Sequence, residues 1–233
     1  MRDNCLFCER KLVEVMTWKG LFYREPQFLC NVCEGKLVKI EGKRCGGCSR
    51  SFDDLAQGFI NGDVCLDCYR WENDSEWKGI LTENHSFYQY NAFLKEYLAR
   101  FKYSGDYVLG KGFSHMIKSY LIKIEYDLII PVPLSDERLY ERGFNQSSAL
   151  LEEAEVRPSN ILTRTHSEKQ SKKTRKERLR QEQVFLLADS NLSGKSILLF
   201  DDIYTTGTTL RQAAKRLKEA GAEQVSSLTL ARG

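Results

Sequence analysis

All eight cysteines of the chain fall between Cys5 and Cys68, as four Cys-x-x-Cys pairs: Cys5 with Cys8, Cys30 with Cys33, Cys45 with Cys48, and Cys65 with Cys68. Two thiolates at this spacing on a tight turn can share one tetrahedral ion, and two such pairs close a four-thiolate site with Zn–S bonds of about 2.3 Å. The pattern predicts two zinc ions and a segment folded around metal. Thiolate fills every ligand position and leaves no place for a substrate, so the ions are expected to be structural. Metal binding of roughly 10 to 16 kcal/mol per site is then folding energy for a stretch too poor in apolar residues to fold alone. Gly46 and Gly47, inside the third pair, offer the backbone freedom a zinc knuckle needs.

Other uses of paired cysteines fit less well. A redox dithiol normally occurs once, on a thioredoxin-like unit, and evenly paired cysteines suit zinc ribbons better than iron–sulfur clusters. Disulfides belong to secreted chains, whereas residues 1–5 are polar and lack an apolar signal core, which implies a cytoplasmic protein. Sequential pairing puts Cys5, Cys8, Cys30 and Cys33 on one ion and Cys45, Cys48, Cys65 and Cys68 on the other. It is favoured over a cross-braced arrangement, which would join the first pair with the third.

A chain of 233 residues suits one sizeable core plus a small accessory module. With 42% hydrophobic and 29% charged residues it reads as an ordinary soluble protein, and no apolar run nears the ~20 residues of a membrane span. The net charge of +3 is too small to imply a polyanionic partner by itself, so the distribution of charge must decide. The segment 71–77, polar with two tryptophans, reads as a hinge between modules spanning 1–72 and 85–233. Beyond it, alternation predicts a strand at 86–90, and apolar spacing predicts helices at 92–101 and 107–124. The uninterrupted apolar run at 127–132 suits a strand buried on both faces. A helix at 145–154, strands at 160–164, 184–187 and 196–201, a helix at 209–220 and a strand at 224–230 complete the order. Such alternation argues an α/β fold, an open and mainly parallel sheet whose ligands bind at the carboxyl ends of its strands.

One such end is explicit. The apolar strand 197–200 runs into Asp201 and Asp202, and after two spacers comes Thr205-Thr206-Gly207-Thr208-Thr209 at the mouth of a helix. Amides and hydroxyls at a helix N-terminus form a phosphate site, with the glycine allowing close backbone approach. The two carboxylates stand where they can take ribose hydroxyls or help organise Mg²⁺. An ordinary helix cap needs one threonine or aspartate; two acids, four threonines and a glycine in order exceed that need.

Over 197–209 the sequence resembles the type I phosphoribosyltransferases, whose signature is four apolar residues, two acids, two spacers and a Thr-Thr-Gly-x-Thr turn. The resemblance implies binding of phosphoribosyl pyrophosphate with Mg²⁺ at Asp201, Asp202, Thr205, Thr206, Gly207, Thr208 and Thr209. It makes 131–136, including Leu134 and Ser135, the pyrophosphate loop. It also makes 167–180, including Lys169 and Arg178, a basic lid; from Arg164 to Arg180 eight lysines and arginines stand against two glutamates. Such a lid can close over pyrophosphate and exclude water. In the purine-salvage branch a carboxylate precedes the turn glycine by two residues. Thr205 stands there instead, so salvage of a purine base is disfavoured and the acceptor of any transfer is not readable.

The wider order of motifs is similar to the ComF family of bacterial competence proteins. It comprises the paired knuckles, Phe101-Lys102-Tyr103-Ser104-Gly105-Asp106, Ile130-Pro131-Val132-Pro133-Leu134, Glu141-Arg142-Gly143-Phe144-Asn145-Gln146, Lys169-Gln170, Glu177-Arg178 and the acid–threonine loop. One departure is Gln181, where the family often has Asn. The resemblance implies a double zinc ribbon fused to a phosphoribosyltransferase domain, acting in DNA uptake beside a helicase-like ATPase. It leaves open whether the domain is an active transferase or a binding module. Aromatics beside positive charge, at 101–103 and at Arg70-Trp71, suit stacking on single-stranded DNA, although Phe101 and Tyr103 also suit core packing. Arg138 and Arg142 can line the phosphate pocket or lie on the surface, and Asn145 can line it or cap its helix.

Overall fold

The computed structural model describes residues 4–12, 26–53, 55–164, 184–188 and 191–233. The cysteine-rich segment consists of two similar halves. In each, a knuckle precedes a short helix that carries the later cysteine pair at its start. Cys30 precedes α1 (Asn31–Glu34) and Cys65 precedes α2 (Leu66–Glu72), the latter reached through the small antiparallel pair β1 (Ile60–Asn61) and β2 (Val64–Cys65). The knuckles repeat each other bond for bond. Cys5 N donates to Arg10 O and Cys45 N to Arg50 O, both at 2.8 Å; Glu9 N donates to Cys5 O and Ser49 N to Cys45 O, both at 2.9 Å. Glu9 and Ser49 take positive φ, 61° and 60°, so the left-handed residue follows each knuckle's second cysteine. Gly46 and Gly47 are not in that region. Gly47 answers instead to space, since a Cβ there would come within 3.0 Å of Cys68 Sγ.

The remainder is an α/β unit. Its strands are β3 (Asn84–Gln89), β4 (Leu128–Pro131), β7 (Ser196–Tyr204) and β8 (Gln224–Arg232), joined in one all-parallel sheet of order β3-β8-β7-β4. The helices are α3 (Ala92–Tyr103), α4 (Lys111–Leu121), α5 (Asp136–Arg142), α6 (Gln146–Glu153) and α7 (Thr208–Glu219). Leu94, Leu98, Phe113, Ile117 and Leu150 from α3, α4 and α6 pack with Leu198, Phe200, Leu228 and Leu230. In a second cluster, Leu210, Ala213, Ala214 and Leu217 of α7 pack with Ile130, Ile197, Leu199 and Val225. Buried on both faces, β7 carries the continuous apolar run Ile197–Phe200, as parallel strands do, whereas β8 interrupts its apolar residues with buried Ser227 and Thr229, which bond Asn84 and Ser86 of β3. The cysteine halves divide between the two cores: Cys5 and Cys33 lie in the first, and Cys45, Cys48, Cys65 and Cys68 in the second.

Three local expectations change. Residues 160–164 do not enter the parallel sheet. Leu162–Arg164 (β5) pairs antiparallel with Phe185–Leu187 (β6), Leu162 opposite Leu187 and Arg164 opposite Phe185. Only Leu162 of β5 is buried, and a three-residue strand with one apolar face cannot sit inside a doubly covered sheet. The helix expected from 107 begins with a 3₁₀ turn at Tyr107–Gly110 and becomes α-helical at Lys111. The segment 71–77 is a packed contact: Trp71 and Trp77 are each 3% exposed, with ring centroids 5.4 Å apart. Their large apolar rings outweigh the polar residues between them.

Candidate functional site

The cysteines gather as two groups of four, Cys5-Cys8-Cys30-Cys33 and Cys45-Cys48-Cys65-Cys68, with all sulfurs of a group within 4.8 Å of one another. This is the sequential grouping. An ideal tetrahedron with Zn–S bonds of about 2.3 Å places sulfurs about 3.8 Å apart. Cys8 and Cys30 Sγ lie 3.6 Å apart, and Cys48 and Cys65 Sγ 3.7 Å. None of the eight is in a disulfide. Hydrogen bonds from Cys45, Cys65 and Cys68 hold the Cys48 thiol far below the usual thiol range, and the Arg232 charge acts the same way. A soft, sulfur-only, four-coordinate donor set of this size fits zinc with no position open for chemistry.

The second group lies behind the loop that follows β7. Gly207 adopts φ 78° and begins α7, and a Cβ at this position would collide with the Tyr204 hydroxyl and ring beneath it. Glycine is therefore required twice, by conformation and by space. Each peptide carbonyl ahead of it is tied back. Tyr204 O accepts from Gly233 N at 2.9 Å and Arg232 Nη1 at 3.2 Å, Thr205 O accepts from Arg232 Nη1 at 2.8 Å, and Thr206 O accepts from the Trp71 indole Nε1 at 3.2 Å. Carbonyl and amide of one trans peptide point in opposite directions. The N–H groups of Thr205, Thr206 and Gly207 are thus turned away from the buried side, and no hydrogen bond among the described residues engages them. Thr205 and Thr206 are exposed, and the Thr206 and Thr208 hydroxyls lie 3.0 Å apart. Successive free amides at a helix N-terminus form an anion-binding concavity.

Beside it stand the two acids. Asp201 Oδ1 accepts from Ser147 Oγ at 3.0 Å and from Asp202 N at 2.9 Å. Asp201 keeps some exposed surface as a residue, but its carboxyl is crowded by packed atoms. That burial, together with the neighbouring Asp202 charge, pushes its pKa up to about 7 against the pull of the Asp202 amide, Lys102 and Ser147. Asp202 is 5% exposed and forms an ion pair with Lys102 Nζ. Lys102 comes from the last turn of α3, half the chain away, and places the 101–106 segment in the site. Ser147 is positioned by Asn145, whose side chain caps α6 by accepting from Ser147 N at 2.9 Å while Nδ2 donates to Val132 O at 3.0 Å. Asn145 is thus both a helix cap and a tie to the 131–136 loop.

The other expected residues are distributed as follows. Leu134 is 9% exposed, and Ser135 precedes α5 without a side-chain cap bond. Arg142 donates to Gln146 Oε1 at 2.8 Å and lies 5.3 Å from the Tyr103 ring centroid, whereas Arg138 is exposed. Phe101 is 1% exposed and belongs to the core, and Trp71 is buried, so neither ring is free to stack on a base; Tyr103, at 68%, is. Lys169, Arg178 and the lid 167–180 lie outside the described residues. Sequence reasoning missed Ser147 and the backing of the loop by Arg232 and Trp71. These contacts join residues far apart in the chain, and no local pattern marks them.

The Phosphoribosyl transferase domain family matches residues 142–233, which include Ser147, both acids and the loop. A hypoxanthine phosphoribosyltransferase structure from Staphylococcus aureus is similar over 53% of this chain and 62% of its own, at 16% identity and a TM-score of 0.33. The competence protein ComFC of Bacillus subtilis (strain 168) is 41% identical over 98% of this chain and 94% of its own length. Competence protein ComFC of Streptococcus pneumoniae is 31% identical over 98% of this chain and 100% of its own. Near-complete coverage at such identity takes in the paired cysteines and the acid–threonine loop together, and the chain belongs to the ComFC family of bacterial competence proteins.

Proposed function

We propose that this protein acts in natural transformation and that the crevice at the carboxyl ends of β7 and β4 binds phosphoribosyl pyrophosphate with Mg²⁺. The observation that carries the reading is the joint geometry of three outward amides, at Thr205, Thr206 and Gly207, beside Asp201 and Asp202. The amides and the threonine hydroxyls take the 5-phosphate, and the acids take the ribose hydroxyls and organise the hydrated cation. Leu134 and Ser135 border the pyrophosphate side, and Lys169 and Arg178 close over it from the lid. Two structural zinc ions, each held by four cysteines of the ribbon at 1–72, fold that module beside the phosphoribosyltransferase-like unit at 85–233.

Single-stranded DNA contact is assigned to Tyr103 and the neighbouring Arg142, since Tyr103 is the exposed ring there. The protein then works in the cytoplasm beside the competence helicase-like ATPase. Transfer of the phosphoribosyl group to an unidentified acceptor is the second reading. It is favoured by the match of residues 142–233 to the Phosphoribosyl transferase domain family. Titration calorimetry with phosphoribosyl pyrophosphate and Mg²⁺ tests the site. Wild type is expected to release binding heat that Asp201→Asn/Asp202→Asn loses, and heat unchanged by that double substitution would remove the acids from the site. Release of pyrophosphate in the presence of candidate acceptors separates transferase from binder.

A further inference from the structure

Arg232 is 5% exposed, yet no side-chain carboxylate among the described residues pairs with it. A buried guanidinium needs a countercharge. Its Nε donates to Cys48 Sγ at 3.3 Å, while Nη1 donates to the peptide oxygens of Tyr204 and Thr205 and to an oxygen of Gly233, the last residue of this sequence. Four thiolates around a divalent ion carry a net charge of about −2, so the second cysteine cluster supplies the side-chain anion that Arg232 answers. Trp71 makes a parallel connection. It lies three residues after the ligand Cys68, its indole donates to Thr206 O, and it packs 5.0 Å below the guanidinium of Arg211, which is 1% exposed. Arg211 in turn pairs with Glu72 and belongs to α7, the helix whose N-terminus the loop forms.

We propose that Arg232 and Trp71 are positioning residues through which the second cysteine cluster fixes the phosphate loop. They hold the loop's carbonyls on the ribbon side, which forces the amides of Thr205, Thr206 and Gly207 towards the ligand. The metal in this cluster is thereby part of the loop's preorganisation, and its occupancy sets affinity for a phosphorylated sugar. The inference rests on the phosphate-binding reading above and adds the reason the loop is ready to bind.

The test uses the full chain loaded with Co²⁺ in both clusters, and ribose 5-phosphate as the probe. Arg232→Gln is expected to raise the Kd for ribose 5-phosphate about tenfold, equivalent to about 1.4 kcal/mol, while still holding two metal ions. Trp71→Phe, which keeps a ring beneath Arg211 and removes the indole donor, is expected to raise it about fivefold. In wild type the thiolate-to-cobalt absorption bands shift on saturation with ribose 5-phosphate; in Arg232→Gln they stay fixed. A merely structural role for Arg232 would not move those bands. Wild-type binding that both variants match, or bands that stay fixed in saturated wild type, would overturn the proposal and leave the phosphate site standing. No binding by wild type would remove the phosphate reading itself and this inference with it. Should Arg232→Gln lose metal, Trp71→Phe decides alone.

Discussion

Replacing Lys102 by methionine isolates the charge balance of the site. The Lys102 and Asp202 side chains are 13% and 7% exposed, and the ammonium meets the carboxylate with little water around either. Removing one partner of a buried pair costs about 3 to 5 kcal/mol, because the remaining charge is left uncompensated. The pair borders a crevice, so the lower end applies, and Lys102→Met should destabilise the protein by about 3 kcal/mol. The reverse change, Asp202→Asn, strands an ammonium on a flexible stem that can turn to solvent, and should cost about 1 to 2 kcal/mol. The double variant Lys102→Met/Asp202→Asn leaves no buried charge and should fall within about 1 kcal/mol of wild type. A double-mutant cycle by urea denaturation, with zinc content checked for each protein, should then give an interaction energy of about 4 kcal/mol. Single losses that simply add, or a Lys102→Met variant within about 0.5 kcal/mol of wild type, would refute the assignment of Lys102 as the counter-ion of Asp202.

Other substitutions probe the surroundings. Gly207→Ala should cost about 2 to 5 kcal/mol from left-handed strain plus overlap with Tyr204, and should abolish ribose 5-phosphate binding; a thermal melt and calorimetry report the two effects. His85, stacked on Tyr120 at 4.2 Å, has its pKa lowered to about 4 by burial and by the Arg44 charge. Its neutral form is the folded one, so its contribution to stability is present above pH 6.5 and is lost as pH falls towards 4, by about 1 kcal/mol at pH 5 once solvent screening of the half-buried ring is allowed for. Denaturation at pH 5 and pH 8 should show wild type faring about 1 kcal/mol worse than His85→Phe over that interval, a difference from which the opposite titration of Asp201 cancels. Metal analysis should find two zinc ions per chain and one in Cys48→Ser, with tryptophan emission shifted to the red in the variant as the packing of Trp71 and Trp77 loosens.

Features carried by consecutive residues were legible in the sequence. The four cysteine pairs gave the two four-cysteine groups, and Ile197–Phe200 followed by Asp201 and Asp202 marked both a buried strand and the place where acids meet its carboxyl end, because one stretch of backbone carries the whole pattern. Helix α5 was not legible: Asp136–Arg142 buries none of its residues, so it has no apolar stripe to show a period. Strand β5 was legible as a strand but not as a hairpin partner, since pairing depends on what returns at Phe185–Leu187 after the basic segment. The site's electrostatics were the least legible. That Lys102 answers Asp202, or that Ser147 bonds Asp201, follows from how α3 and α6 lie on the sheet.

The same topology explains why the ribbon can reach the loop at all. Strand β8 lies inside the sheet between β3 and β7 and runs parallel to both, so its carboxyl end meets that of β7 where ligands bind in open α/β sheets. The register sets Ala231 against Ile203 and Arg232 against Tyr204. A slip of one residue would turn the guanidinium to the other face of the sheet, away from Cys48 and from the loop carbonyls. The apolar residues of β8, Val225, Leu228 and Leu230, prevent that slip, because each would lose its place in the core. Placement of one buried charge behind the Thr205–Gly207 loop is therefore enforced by hydrophobic packing along the whole strand. Substitutions in the middle of β8 should disturb ligand affinity from a distance, through Arg232, before they unfold the sheet.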